Sequence, residues 1–261
     1  MNILAVDIGN TNIDIGLFID EKIEPIQSIP GTSKSKLTKA FKTAWKKIPI
    51  IGSSAEGKRD CIILVCSVKP VWTELVRDIA EKELGEFVSV IGQDIPVQIK
   101  SDVDEVGTDR ILAAYAAYAV FETAVAVIDI GTAITIDLVD QNGVFQGGVI
   151  FPGFDLCARA LSKHTAQLPR VSIKKPTEPF GKNTNDAINC GLYYSVVGAL
   201  EENIRRYAEK IGTWPQTIIT GAGAELIRDD CRFIDSYVPN LVVNGIVLTY
   251  KDYLKDEREL G

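Results

Sequence analysis

The chain has 261 residues, 46% hydrophobic and 24% charged, with a formal net charge of -7. That length fits one large domain or two ordinary ones sharing a cleft, and the acidic balance excludes a nucleic-acid partner, since neutralising a phosphate backbone takes an excess of Lys and Arg on one face. The longest apolar run, Ile111 to Phe121, falls short of the roughly 18 residues of a membrane helix, and the start lacks the basic, then apolar, pattern of a secretion signal, so no membrane partner and a cytoplasmic location are expected. The five cysteines are scattered without a C-x-x-C pair and there is one histidine, which points to reduced, mostly buried thiols rather than a metal knot.

In chain order, residues 2–8 and 12–19 are apolar and β-branched and flank Gly9-Asn10-Thr11, which predicts a strand hairpin. Residues 33–47 read as an amphipathic helix capped by Thr32 or Ser33. A buried strand at 61–66 leads through Ser67-Val68-Lys69-Pro70 to a helix at about 71–84, and a strand follows at 87–91. After an irregular acidic stretch, Thr108 of Gly107-Thr108-Asp109-Arg110 is placed to cap an Ala-rich helix ending near Phe121. The pattern then repeats. A second hairpin starts at about Val125, and the turn Gln141-Asn142-Gly143 continues it into a third strand expected to end at Gly147-Gly148. After Pro152-Gly153 come a helix to Lys163, a loop rich in Pro and Lys, a long helix over 185–211, and a strand at 217–220 followed by Gly221-Ala222-Gly223.

The two hairpin turns carry the chemistry. Val6-Asp7-Ile8-Gly9-Asn10-Thr11-Asn12 and Ile128-Asp129-Ile130-Gly131-Thr132-Ala133 each end an apolar strand in Asp, turn on Gly, and resume as a strand. Such tips present a carboxylate and bare N–H groups, and a facing pair suits a polyphosphate with its hydrated cation. Neither a P-loop nor a G-x-G-x-x-G fingerprint is present. The repeat implies duplication, with boundaries at 1–121 and 122–261. His164, the lone histidine, is more simply a helix-end or surface residue, and the basic run Lys163, Arg170, Lys174, Lys175 and Lys182 a solvated loop.

Asp7 to Asn12, Gly107 to Arg110, Asp129 to Ala133, Gly147-Gly148 with Pro152-Gly153, Thr165 to Pro169 and Asn183-Thr184 occur in one order. In this the chain resembles the type III pantothenate kinases of the acetate and sugar kinase, Hsp70 and actin superfamily. The resemblance implies an α/β fold of two duplicated actin-like (ribonuclease H-like) domains facing each other across a nucleotide cleft, and a kinase that moves phosphate from ATP to pantothenate. It makes Asp7, Ile8, Gly9, Asn10, Thr11, Asn12, Ile13 and Asp14 the first phosphate loop and Thr132 an ATP contact in the second. Asp129 becomes the ligand of a monovalent cation, potassium or ammonium, with Mg2+ accompanying ATP. Gly221 and Gly223 correspond to an adenosine-side turn, with Ala222 where the family usually has Gly.

By the same resemblance Asp109 is the catalytic base, Gly107, Thr108 and Arg110 bind the acceptor, and Thr184 reaches the substrate of a neighbouring subunit, implying a homodimer with shared sites. A helix start and an adjacent cation both favour the ionised form of Asp109, which is expected to be a weak base; phosphoryl transfer needs orientation of the hydroxyl more than early proton removal. Lys100 stands where the family has a Tyr lining the acceptor site, no Arg occurs in Ile23 to Gly31, and Lys69 stands where Val is typical. A cation in place of an aromatic wall alters what an acceptor pocket accepts, so a kinase of the same fold for another hydroxy acid is one alternative and a non-catalytic nucleotide-binding dimer another; the retained Asp109-Arg110 pair favours chemistry.

Overall fold

The computed structural model describes residues 1–51 and 58–260. It divides into two compact units. The first comprises Met1–Ile99, Glu105–Ala116 and Asn240–Gly261, and the second Lys100–Asp104 and Ala117–Pro239.

In the first unit β1 (Ile3–Ile8) and β2 (Asn12–Ile19) form the expected antiparallel hairpin, followed by short strands β3 (Lys22–Ile23) and β4 (Gln27–Pro30) that both pair with β2. Helix α1 (Lys34–Lys47) buries Leu37, Ala40, Phe41 and Ala44, the spacing that puts four side chains on one helical face. Ser33 occupies its N-cap position but makes no side-chain cap bond. Strand β5 (Ile62–Ser67) lies parallel to β1, and α2 (Pro70–Ile79) continues as one wide turn over Ala80–Leu84 before Gly85, at φ 71°, ends it. Strand β6 (Val88–Val90) completes a sheet of order β3-β2-β1-β5-β6, with β4 on β2.

The second unit begins at β7 (Lys100–Ser101), a two-residue strand inside the stretch expected to be irregular. Helix α3 (Thr108–Phe121) leads to β8 (Val125–Ile130) and β9 (Ala133–Val139), the second hairpin. Strand β10 (Val144–Pro152) does not stop at Gly147-Gly148 as expected. A register shift between Phe145 and Gly147 lets it resume pairing with β9 as far as Pro152 against Ala133, because a bulge absorbs the extra residue. Helices α4 (Phe154–His164) and α5 (Thr184–Ile211) flank the Pro- and Lys-rich loop, and β11 (Gln216–Thr220) precedes the short α6 (Ala224–Ile227) and β12 (Ser236–Tyr237).

The sheet order here is β12-β11-β8-β9-β10-β7. Each unit thus has an antiparallel hairpin whose first strand takes a parallel neighbour, and that neighbour takes another: β2-β1-β5-β6 and β9-β8-β11-β12. Each sheet has its own core, centred on Val6, Ile8, Val65 and Phe41 in one and on Ile128, Ile136, Leu200 and Ile219 in the other.

The sequence reading stopped short of α7 (Leu241–Leu260), which buries Leu241, Val243 and Ile246 and packs on β1, β2 and β5. It groups with the first unit, rather than with the second half of the chain, to which a simple halving assigns it. Two glycines allow this: a Cβ on Gly245 would stand 2.3 Å from the Leu112 carbonyl oxygen, and one on Gly16 2.7 Å from Val243. The Tyr115 hydroxyl donates to Asp252 at 2.5 Å, tying α3 to α7. All five cysteines are free, with Cys66, Cys190 and Cys231 buried. Burial pushes the Cys61 thiol up to about 12.

Candidate functional site

The candidate residues of the first unit lie at the end of β1, at the start of β2 and at the start of α3. Asp7 is directly opposite Asp14 across the β1–β2 ladder and opposite Cys66 on β5. Like charges facing each other on neighbouring strands are unfavourable, and a fold retains such a pair where a cation or ligand compensates. Burial raises the pKa of Asp14, partly offset by a hydrogen bond from Ser28, its partner on β4. Its Oδ1 is buried without a hydrogen-bond partner. The Gly9 N–H donates to the Asn12 carbonyl at 3.0 Å and closes the turn, leaving Asn10, Thr11 and Asn12 exposed at the tip.

Asp109, in the same unit, stands at the start of α3. Gly107, not Thr108, holds the cap position, its carbonyl accepting the N–H groups of Arg110 and Ile111. The Asp109 Oδ1 accepts the Arg110 backbone N–H at 2.8 Å. Burial lifts the Asp109 pKa above the ordinary 3.8 despite that bond and the Arg110 charge. This corrects the expectation of a weak, readily ionised carboxylate, because desolvation at this buried helix start outweighs both stabilising contacts. Asp7 and Asp109 both act on the buried Cys66 thiol, which burial and these two charges push well above its usual value. Two carboxylates from different elements therefore act electrostatically on the same buried thiol.

Gly107 is required for this geometry, since a Cβ there would lie 2.6 Å from the Asp109 Oδ1. G107A is expected to fold with a thermal midpoint close to that of the unaltered chain, because a short side chain can swing away, yet to lose roughly ten- to hundredfold in turnover as the carboxylate leaves its place. Steady-state kinetics beside a melting curve tests this; full turnover would show that the carboxylate's position is immaterial.

In the second unit the β8–β9 tip is closed by the Gly131 N–H on the Ala133 carbonyl at 3.1 Å. Two glycine turns clasp it. The Gly153 N–H donates to the Thr132 carbonyl at 2.9 Å, and the Gly223 N–H to the Ile130 carbonyl at 2.9 Å. Gly221, at φ 90°, comes so close that a Cβ would sit 2.2 Å from the Asp129 Oδ1 and 2.7 Å from the Ile130 nitrogen and oxygen. The absent side chain lets the backbone of Gly221 close on a carboxylate and a carbonyl oxygen, donor types that suit a hard cation. Among the described residues no cluster of three or more His, Cys, Asp or Glu could form a metal centre.

The structure thus pairs Asp7 with Asp14 in the unit that also holds Asp109, and brings Asp129 and Thr132 to the Gly153, Gly221 and Gly223 turns within the other. Two expected residues stand apart from these groups. Lys100 is exposed on β7, paired with Val144 of β10. Thr184 begins α5, next to the Asn183 cap that accepts the Asp186 N–H, and lines a hollow of about 580 Å³ with Leu161, Leu168, Gly181, Ile188 and Leu192. His164 is exposed at the end of α4, and Arg170 is paired with Asp155. Sequence reasoning missed Ser28, the partner of Asp14, which only cross-strand register reveals. It noticed Lys69 only as a departure, although Pro after Lys at a helix start is a local signal that the side chain stands beside the preceding strand's end.

A family model described as type III pantothenate kinase matches residues 3–206. A type III pantothenate kinase from Dehalococcoides mccartyi is 30% identical over 252 residues, covering 95% of this chain and 97% of that relative. Among solved structures, a conserved putative Baf family transcriptional activator from Campylobacter jejuni superposes with a TM-score of 0.61 at 17% identity, covering 98% of this chain and 99% of the other. MreB 5 of Spiroplasma citri bound to AMPPNP gives 0.50 at 10% identity, covering 99% and 98%. The likenesses in structure speak for the fold alone, which is the duplicated actin-like one.

Proposed function

The chain belongs to the type III pantothenate kinase family, and from that premise we propose how its residues divide the work of its reaction. That reaction is the ATP-dependent phosphorylation of pantothenate in coenzyme A biosynthesis. The observation that carries the division of labour is the place of Asp7 at the end of β1, opposite Asp14 and Cys66, in the same unit as the buried Asp109 carboxylate at the start of α3.

Asp109 accepts the proton of the attacking hydroxyl and orients it. Its raised pKa makes it a better base than an exposed carboxylate, and in a loose phosphoryl-transfer transition state the orientation contributes more than the proton transfer. Arg110, adjoining it, is suited to the acid end of pantothenate through two parallel hydrogen bonds, with Gly107 and Thr108 alongside. The turn from Asp7 to Asp14 cradles phosphate oxygens with the N–H groups and amides of Asn10, Thr11 and Asn12. The orphaned Asp14 Oδ1 and neighbouring Asp7 fit the hydrated Mg2+ that travels with ATP. The Asp129 carboxylate and the Ile130 carbonyl, with Gly221 close against them, would hold potassium or ammonium, and Thr132, Gly221 and Gly223 border the nucleotide. A bound cation supplies charge neutralisation to the triphosphate, which an acidic chain cannot provide by its own field. Thr184 serves the acceptor site of a second copy, making the working unit a homodimer, and Lys100 stands at the sequence position where the family's acceptor-site Tyr is expected.

Release of ADP with pantothenate, ATP and Mg2+, followed by mass detection of 4'-phosphopantothenate, tests the whole. Potassium is expected to raise the rate over sodium, and D129A to remove that gain. Absence of ADP release with pantothenate would end the functional reading, a D129A enzyme still activated by potassium would end the cation assignment, and a monomer in sedimentation would end the shared site.

A further inference from the structure

Lys69 sits at the tip of the first phosphate loop through a closed ring of contacts. Its ammonium donates to the Asn10 carbonyl at 3.2 Å and lies 3.4 Å from the centre of the Trp72 ring. The same ring covers Gly31 so tightly that a Cβ there would come within 2.2 Å of it. Gly31 in turn donates its N–H to the Thr11 carbonyl at 3.2 Å, and Pro30 pairs with Asn12 in the β2–β4 ladder. The path from Asn10 through Thr11, Gly31, Trp72 and Lys69 back to Asn10 therefore encircles the tip.

The backbone of Lys69 is equally fixed. Its N–H donates to the Ser67 Oγ at 3.1 Å, that oxygen also accepts the Thr73 hydroxyl at 2.6 Å, and the Lys69 carbonyl accepts the N–H groups of Trp72 and Thr73. An ammonium has three donor hydrogens and one is used by Asn10, so the others remain for a ligand. Among the described residues it forms no ion pair, although Asp7 and Asp14 face each other at the base of this turn. A cation resting on an aromatic face and a carbonyl, at the end of a loop otherwise rich in carboxylates, is placed to meet an anion.

We propose that Lys69 is a phosphate-recognition residue of this chain, its ammonium carried on Trp72 and tied to Asn10 so that it contacts the triphosphate of a nucleotide held at the β1–β2 turn. This rests on the kinase reading above. It gives the loop a fixed positive charge of its own beside the bound cations, while the Trp72 stack spares the long side chain much of its ordering entropy.

The test is calorimetric binding of a non-hydrolysable ATP analogue with Mg2+ to the full chain and to K69M and K69R, together with kinetics. The Met side chain keeps the stem on Trp72 and removes the charge. K69M is expected to bind the analogue roughly ten- to hundredfold more weakly, the loss of a charge-assisted contact, and to raise KM for ATP while KM for the acceptor and the thermal midpoint stay put; K69R, which stacks on Trp72 as well, restores most of the affinity. Equal affinity of K69M and the unaltered protein would overturn the assignment and leave the kinase reading standing. A chain that takes up no nucleotide at all would overturn both.

Discussion

D109N is expected to lower turnover by roughly a hundred- to ten-thousandfold, the range for removing a positioned base, while affinity for a non-hydrolysable ATP analogue stays unchanged. It is also expected to be the more stable protein at neutral pH. The folded-state pKa of Asp109 is raised above 3.8 by burial, so the folded chain holds this proton more tightly than the unfolded one. Stability attributable to the group is therefore fully present below the ordinary carboxylate value and is lost as pH rises through the raised one. Asn pays no such penalty, so the advantage of D109N appears above the raised pKa and closes as pH falls toward 3.8. In the same window log kcat/KM of the unaltered enzyme declines with falling pH as the base takes up its proton. Melting curves across pH, run beside kinetics, read both. Unchanged turnover would remove Asp109 from the chemistry; a neutral-pH midpoint below that of the unaltered chain would mean that the Arg110 contacts outweigh burial after all.

G221A is expected to be the most damaging single substitution at the second tip. Gly221 has φ 90°, and an added Cβ would meet the Asp129 Oδ1 at 2.2 Å and the Ile130 backbone nitrogen and oxygen at 2.7 Å. Backbone strain alone costs about 1–2 kcal/mol, and the overlap is with main chain that cannot swing aside, so the total is expected near 3 kcal/mol or more. Gly212 supplies the comparison: φ is 76° there, but a Cβ would meet nothing within 4 Å. G212A should therefore show the strain alone, about 1 kcal/mol. Urea denaturation of the two variants separates the terms. Equal losses would show that the strand end relaxes freely around Gly221, and would weaken the case that this turn fixes the position of the Asp129 carboxylate.

The hairpin tips were legible because each is a local pattern: an apolar run, Asp, a turn on Gly, and a second run. The Gly107 to Arg110 start of α3 was legible for the same reason, since the first turn of a helix depends on only a few neighbouring residues. Strand β10 was cut short because Gly147-Gly148 reads as a stop, whereas the pairing of Pro152 with Ala133 depends on a bulge that only the ladder shows. The pKa of Asp109 was misjudged in direction because a dipole and a neighbouring cation can be read along the chain and burial cannot.

By itself the sequence determined the two Asp-Gly turns, the order of the principal elements as far as β11 and the identity of the polar residues at the turn tips, all consequences of strand and helix periodicity and of turn chemistry acting over a few residues. Only the tertiary structure decided that α7 packs on β1, β2 and β5, that Asp7 lies opposite the buried Cys66, and that Lys69 reaches Asn10 across Trp72. These are contacts between residues far apart in the chain, and their geometry depends on which side chains the core excludes from water.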